Sequence, residues 1–211
     1  MNEKIPLREI KKARTKIKLF HTALDIIGEK SFREVYVEEL CDQVEISKVT
    51  FFKMFSRKED ILIYFMRLWL TDRMLELQET NKKGMAALRH IFEAVSKYAK
   101  EKPGLMLSLI AFLAEEKMHP CLPHLTDAEI HLLYPEKEEQ VRKLIPNLNE
   151  VFANCVEEGK AAGEITLKMD TSQIAKLLHS IFYGAYLTSH VFQTQHVMDM
   201  YDLHLRILNP K

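Results

Sequence analysis

The chain has 211 residues, of which 47% are hydrophobic and 28% are charged, as in an ordinary globular protein with a full core. It contains only 6 Gly and 7 Pro, too few for the many tight turns of an all-β sandwich or barrel. Three widely spaced cysteines argue against a disulfide framework and favour the cytoplasm. The N-terminus is charged where a signal peptide is apolar, and no apolar run suits a membrane span.

The net charge is zero, but basic residues are concentrated at the N-terminus. Residues 1–20 hold seven basic and two acidic side chains. A basic arm on a neutral protein suggests a polyanionic partner at that end, and a solvated leader is the alternative interpretation. We therefore treat residues 1–14 as a basic leader.

The spacing of apolar residues predicts an all-α fold. The first helix covers residues 15–29, a second short helix covers residues 37–44, and a third begins at Ser47, a preferred N-cap residue. Further helices are predicted over residues 56–80, 85–101, 103–118, 126–134, 135–162, 170–192 and 197–208.

Three capping boxes and one proline mark helix boundaries. The capping boxes are Ser56–Glu59, Thr126–Glu129 and Asp170–Gln173, each of which satisfies backbone amides at a helix N-terminus. Pro146 predicts a kink or a break within the helix that begins at residue 135.

Two short helices after an amphipathic helix fit the helix-turn-helix of DNA-binding proteins. In the third helix, Phe51 and Phe55 are one turn apart and face the first helix. The opposite face carries Lys48, Val49, Phe52 and Lys53. This short, basic and partly apolar face is suited to phosphates and base edges in a major groove, with Val49 or Phe52 on a thymine methyl. A small amphipathic helix in a larger bundle is the alternative.

The stretch from Arg14 to Ile61 resembles the DNA-binding domain of the tetracycline-repressor (TetR) family of transcriptional regulators. The third-helix segment ISKVTFFKMFSRKEDIL carries the resemblance. The matching positions are Ser47, Lys48, Thr50, Phe55, Lys58, Glu59 and Ile61. The sequence departs from the family pattern at Glu45 and Val49, where glycine is usual, at Phe52, which lacks the usual hydroxyl, and at Tyr36, where a small hydroxyl residue is usual.

The resemblance implies an N-terminal three-helix DNA-binding domain over residues 1–60 and a C-terminal helical domain over 61–211 for ligand binding and dimerisation. It implies a homodimer on a double-stranded DNA operator. The candidate DNA contacts are Arg14, Lys16, Tyr36, Lys48, Val49, Thr50, Phe52, Lys53 and Lys58. Lys58 is expected at a helix N-terminus, where a phosphate would also meet free amides.

The C-terminal region carries candidates for a ligand pocket and for a dimer interface. Apolar and aromatic residues suit an adaptable, mostly apolar ligand. The candidate pocket residues are Phe65, Trp69, Met106, Leu109, Phe112, Leu113, Phe182, Tyr183 and Tyr186. A stripe of small residues suits close helix approach in a dimer, namely Ser180, Gly184, Ala185 and Ser189. Plain core packing is the alternative for both sets.

His119, Cys121 and His124 form a compact group of metal-capable residues, but their spacing fits no standard zinc pattern. No phosphate loop, nucleophile elbow or zinc-protease motif is present, so we expect neither an enzyme nor a cofactor. The sequence favours a repressor that a small, mostly apolar effector releases from its operator. The alternatives are a helical small-molecule-binding module with weak or lost operator binding and, less favoured, an all-α enzyme or metal protein.

Overall fold

A computed structural model describes residues 5–27, 31–116, 120–194 and 196–209 of the chain. Within those ranges the regular structure is entirely helical, as predicted. None of these helices combines the length and the apolar character that a bilayer-spanning segment requires. The α-helices are α1 (Leu7–Ile27), α2 (Val37–Val44), α3 (Lys48–Met54), α4 (Asp60–Thr80), α5 (Gly84–Glu101), α6 (Pro103–Glu115), α7 (Asp127–Leu133), α8 (Glu138–Lys143), α9 (Leu148–Ala161), α10 (Thr171–Val191) and α11 (Val197–Leu205).

Two boundaries show how well local signals place helix ends. The predicted interruption at Pro146 is confirmed, because α8 ends at Lys143 and α9 begins at Leu148. The first helix begins at Leu7, so most of the predicted leader is helical. Charge in residues 7–14 concealed the helix, since its apolar stripe is weak there.

Two of the three predicted capping boxes are confirmed, at Thr126–Glu129 and Asp170–Gln173. The start of α4 differs, because the backbone N–H of Arg57 donates to Asp60 Oδ2 over 3.1 Å. A capping box that was not predicted joins Ser31 to Glu34 at a 3₁₀ turn.

The chain divides into two compact units, and each unit combines two separate stretches of sequence. The first unit contains Met1–Thr71 and Lys102–Pro146, and the second contains Asp72–Glu101 and Asn147–Lys211. The predicted boundary after residue 60 separates DNA binding from ligand binding and dimerisation, and it stays a prediction.

Polar side chains join the two stretches of the first unit. Lys102 Nζ donates to the Leu24 carbonyl over 2.8 Å, at the end of α1. Ser108 Oγ on α6 accepts from the Phe32 backbone N–H over 2.9 Å and donates to the Gly104 carbonyl. These contacts fix α6 beside the segment that precedes α2.

An aromatic cluster fills the core of the second unit. The ring of Phe92 on α5 stacks on Phe152 of α9, with centroids 6.1 Å apart, and lies 4.6 Å from the ring of Tyr201 on α11. The Tyr201 hydroxyl donates to the Phe182 carbonyl over 2.9 Å, which satisfies a buried polar group. Helices α5, α9, α10 and α11 therefore share one core.

A close approach at the edge of this unit requires glycine. Gly84 begins α5 with a φ of +51°, in the left-handed region that glycine tolerates best. A Cβ atom on Gly159 would lie 2.7 Å from Ile165 Cδ1 and 3.6 Å from the Gly84 Cα. The two glycines thus let the start of α5 meet the end of α9.

Candidate nucleic-acid interface

The turn between α2 and α3 builds the helix-turn-helix. Glu45 follows α2 with φ 61° and ψ 46°, and its backbone N–H points back to the last turn of that helix. The Ile46 N–H donates to the Cys41 carbonyl over 3.0 Å. Ser47 then caps α3, because its side chain accepts from the Thr50 N–H. Glu45 thus adopts the left-handed backbone conformation at a position where the TetR family pattern usually has glycine.

Helix α3 has one buried face and one exposed face. Phe51 is fully buried, and Phe55 directly after the helix is buried as well, as predicted. Val49 is 64% exposed and Phe52 is 49% exposed. Lys53 is also exposed, so the predicted outward face of α3 is accessible.

Lys48 begins the exposed face, but its ammonium group is paired with the Glu38 carboxylate on α2. The hydrogen bond from Lys48 holds the pKa of Glu38 below its usual value, and the same bond raises the pKa of Lys48. Both groups are therefore charged at neutral pH. Sequence reasoning missed Glu38, because the spacing of residues on α3 gives no sign of a partner on α2.

Lys16 was predicted as a DNA contact, and in the structure its ammonium is paired with a carboxylate of the same unit. Its Nζ atom lies 2.7 Å from Glu129 Oε1, and the Glu129 side chain is only 2% exposed. The ammonium also lies 4.4 Å from the ring centroid of Tyr64 and 5.5 Å from that of Phe55. Lys16 faces the interior because α7 supplies a buried carboxylate, which the sequence around Lys16 could not reveal.

Lys58 was predicted to contact a phosphate, and its geometry gives it a structural role. Its ammonium donates to the carbonyls of Phe32 over 3.0 Å and Val35 over 2.9 Å. It also lies 4.8 Å from the Phe32 ring centroid. Lys58 therefore holds the segment between α1 and α2 against the start of α4.

The remaining DNA candidates lie on or near the helix-turn-helix surface. Arg14 is exposed on α1, and Tyr36 is 65% exposed at the N-cap of α2. Thr50 is half-buried, with Oγ1 3.0 Å from Ser47 Oγ. The direct contacts of these residues with DNA stay predictions.

Six of the candidate pocket residues lie in the first unit. Five of them are buried, and Leu113 is half-buried. The set consists of Phe65, Trp69, Met106, Leu109, Phe112 and Leu113. The Arg57 guanidinium lies 5.7 Å from the ring centroid of Phe112. Their role in ligand binding stays a prediction.

The other three candidates, on α10, belong to the second unit. Phe182 is part of the aromatic cluster, with its ring centroid 5.9 Å from that of Phe92. Burial raises the pKa of both Tyr183 and Tyr186 to about 12. An open groove of about 940 Å³ in this unit is lined by none of the nine candidates. Its walls are Met85, Ala86, Arg89, Glu164, Asp202, Leu205, Arg206 and Asn209.

The predicted dimer stripe on α10 divides into two pairs. Ser180 and Gly184 are exposed, and nothing lies within 4 Å of a Cβ built on Gly184. Ala185 and Ser189 are buried inside the unit. The two buried members therefore do not belong to an outward stripe, because the helix turns them towards its own core.

The candidate metal group is only partly described. His119 lies outside the described residues, and Cys121 is an exposed free thiol. Within the described part of the chain, no group of three His, Cys, Asp or Glu side chains is arranged to hold a metal ion.

Known structures share this fold along nearly the whole chain. FadR from Thermus thermophilus, a TetR-family transcriptional repressor in complex with lauroyl-CoA, is 16% identical, with 92% of each chain covered and a TM-score of 0.62. FadR from Bacillus subtilis in complex with stearoyl-CoA is 15% identical, covering 92% of this chain and 98% of that chain, with a TM-score of 0.62. A TetR regulator from Haloarcula marismortui is 13% identical, covering 94% and 97%, with a TM-score of 0.60.

Among curated proteins, none shows significant sequence similarity to this chain. Residues 84–202 match the family described as tetracyclin repressor-like, C-terminal domain. The match covers more than half of the chain and begins at the first residue of α5. It is independent of the helix-turn-helix, which lies in the other part of the sequence. The chain therefore belongs to the TetR family of transcriptional regulators.

Proposed function

We propose that this protein is a cytoplasmic repressor that binds a double-stranded DNA operator and is released from it by a small, mostly apolar effector. Residues 1–60 bind DNA, and residues 61–211 bind the effector and form a homodimer. The observation that carries the proposal is the outward face of α3, where Val49, Phe52 and Lys53 are exposed on a helix whose other face carries the fully buried Phe51.

The chemistry of α4 and α6 supports an apolar effector. Phe65, Trp69 and Met106 are buried aromatic and thioether side chains on these helices, and such side chains suit an adaptable ligand site. The two FadR relatives hold lauroyl-CoA and stearoyl-CoA, and both ligands carry long acyl chains. The effector and operator act by population shift, since each favours a different arrangement of the same protein.

The exposed part of α10 supports dimerisation. Ser180 and Gly184 leave room for close helix approach, and the exposed side chains of Leu187 and Val191 extend the same face. Gly184→Leu should separate the subunits without disturbing the monomer, because its added side chain points into open space. Sedimentation at micromolar concentration tests this, with Ser172→Leu as the control. A wild-type protein that sediments as a monomer contradicts the proposal.

The operator is the decisive test. DNA sites are selected from random duplexes, and wild-type binding to selected and random duplexes is then titrated at several salt concentrations. We expect a near-palindrome with half-site centres about one helical turn, or a multiple of it, apart. If Lys53 contacts a phosphate, Lys53→Ala should reduce the slope of log affinity against log salt concentration by about one unit. Equal, weak affinity for both duplexes contradicts sequence-specific regulation.

A second candidate function has a specific observation in its favour. Lys16, Lys48 and Lys58 are each held by partners within the chain, so fewer cations are available to phosphates than the sequence indicates. The protein would then be a ligand-binding module with weak or lost operator binding. Stabilisation by lipophilic compounds without selection of any DNA site would favour this second function.

A further inference from the structure

The exposed face of α3 carries two large apolar side chains, Val49 and Phe52, between Lys48 and Lys53. Val49 and Phe52 are three residues apart, so their side chains are neighbours on one face of α3. The Phe52 ring packs edge-on against Phe51, with centroids 5.2 Å apart and planes at 80°. Because Phe51 is fully buried, the exposed ring of Phe52 rests against the core. Val49 and Phe52 thus form an exposed pair, here called the apolar patch.

One of the two cations beside the apolar patch is paired within the chain. Lys48 adjoins Val49 and Lys53 adjoins Phe52, and the ammonium of Lys48 is paired with Glu38. A guanine contact would require Lys48 to leave Glu38, and the carboxylate of Glu38 would then face DNA phosphates without a partner. Asp42 and Glu45 are exposed acids on the same two-helix segment. A hydrogen bond from Lys48 to a base edge is therefore disfavoured.

The major groove offers one apolar feature to such a surface. Thymine presents a C5 methyl group there, and 5-methylcytosine carries the same group at the same position. Uracil and cytosine lack this methyl but keep the hydrogen-bonding edges of their methylated counterparts. Recognition through the methyl can thus be separated from recognition through hydrogen bonds by changing a single group.

We propose that Val49 and Phe52 select operators by contact with C5-methylated pyrimidines, and that Glu38 is a specificity-determining residue because it withholds Lys48 from guanine. This inference rests on the proposed DNA-binding function. It predicts half-sites rich in thymine at the positions that face α3. Glu38 acts through Lys48 and makes no base contact of its own.

The test uses the selected duplex with thymine replaced by uracil at one position of each half-site. Loss of one methyl contact should weaken binding about fourfold, and loss of both in a dimer about 15-fold. The sensitive position is then compared as thymine, uracil, cytosine and 5-methylcytosine, with guanine opposite the last two. If replacing cytosine by 5-methylcytosine raises the binding affinity, the protein recognises either methylated base at this position. If the affinity does not change, the protein recognises thymine alone.

Protein variants show which side chain makes the contact. In Phe52→Ala or Val49→Ala, the uracil substitution should cost nothing further, because the methyl has lost its partner. Lys53→Ala is the matched control on the same helix, and it should weaken thymine and uracil duplexes by the same factor. Glu38→Gln should free Lys48, raise affinity for random DNA and steepen the salt dependence by about one unit.

Two results overturn the inference in distinguishable ways. If the wild type prefers a selected duplex but uracil costs less than 1.5-fold at every position, methyl recognition is wrong and the DNA-binding function stands. If no duplex is preferred over random DNA, the proposed function itself fails. The apolar patch would then serve a protein partner.

Discussion

Both compact units of this chain contain aromatic packing, and the first also contains an ion pair with a buried carboxylate. In the first unit, single polar atoms join distant segments, as Lys16 does with Glu129 and Ser108 does with the Phe32 amide. In the second unit, the rings around Phe92 fill one apolar core. Apolar cores tolerate swaps that conserve volume, whereas a buried ion pair depends on each charge. The unit that contains the helix-turn-helix should therefore be the more sensitive to single, nearly isosteric substitutions.

The largest expected effect is at the buried ion pair. Glu129→Gln should lower the free energy of unfolding by about 3–5 kcal/mol, because the Lys16 ammonium is left buried without its carboxylate. Lys16→Met combined with Glu129→Gln should recover much of the loss. Glu139→Gln is the control, since its pair with Arg142 is exposed to solvent and should contribute little to stability. Urea unfolding measures all three, and an equal loss in the control contradicts the comparison.

The same pair should make the stability depend on pH. Burial raises the pKa of Glu129, but the hydrogen bond and charge of Lys16, with Thr126, outweigh burial and hold the pKa below its usual value. Its contribution is therefore complete above the pKa of an unfolded glutamate and is lost as the pH falls through the folded pKa. The stability difference between wild type and Glu129→Gln should shrink in acid. A difference that stays constant from neutral to acidic pH contradicts this role.

Lys58 should have the next largest effect. Lys58→Ala removes a charged donor from the Phe32 and Val35 carbonyls and should cost about 2 kcal/mol of unfolding free energy. The salt dependence of DNA binding should stay unchanged, in contrast to Lys53→Ala. A flatter salt dependence with unchanged stability would restore the phosphate contact predicted from the sequence.

A conservative change in the second unit should matter less. Leu178 is fully buried on α10, and Leu178→Met should cost less than about 1.5 kcal/mol because the volume is nearly conserved. Thermal unfolding of this variant beside Glu129→Gln compares the two units directly. A cost equal to that of Glu129→Gln would remove the distinction between them.

The smallest effect is a gain. Glu45 has a φ of 61°, where a side chain costs about 1–2 kcal/mol relative to glycine. Glu45→Gly should therefore stabilise the protein by about 1 kcal/mol, with part of the gain lost to the greater freedom of the unfolded chain. Glu45→Gln retains the backbone cost and removes the charge, so it separates the two contributions. Equal stabilisation by both variants would assign the effect to charge.

Signals confined to one helix predicted the fold well. The capping boxes at Thr126 and Asp170 and the interruption at Pro146 depend on residues within one turn, and the structure confirms them. By contrast, the positions of the Lys16 and Lys58 ammonium groups depend on partners far away in the sequence. A basic side chain looks the same in the sequence whether it faces DNA or a buried carboxylate, so the site was less predictable than the fold.

The partnership of Lys16 with Glu129 has a consequence for how the chain is made. The two residues are about 110 positions apart, so α1 leaves the ribosome long before α7 exists. At ordinary rates of translation, the delay is about 6–20 s. Until then the Lys16 ammonium has no carboxylate beside it, and the first unit is incomplete. A fragment that stops at residue 60 would contain α1, α2 and α3 but would leave Lys16 without the Glu129 carboxylate.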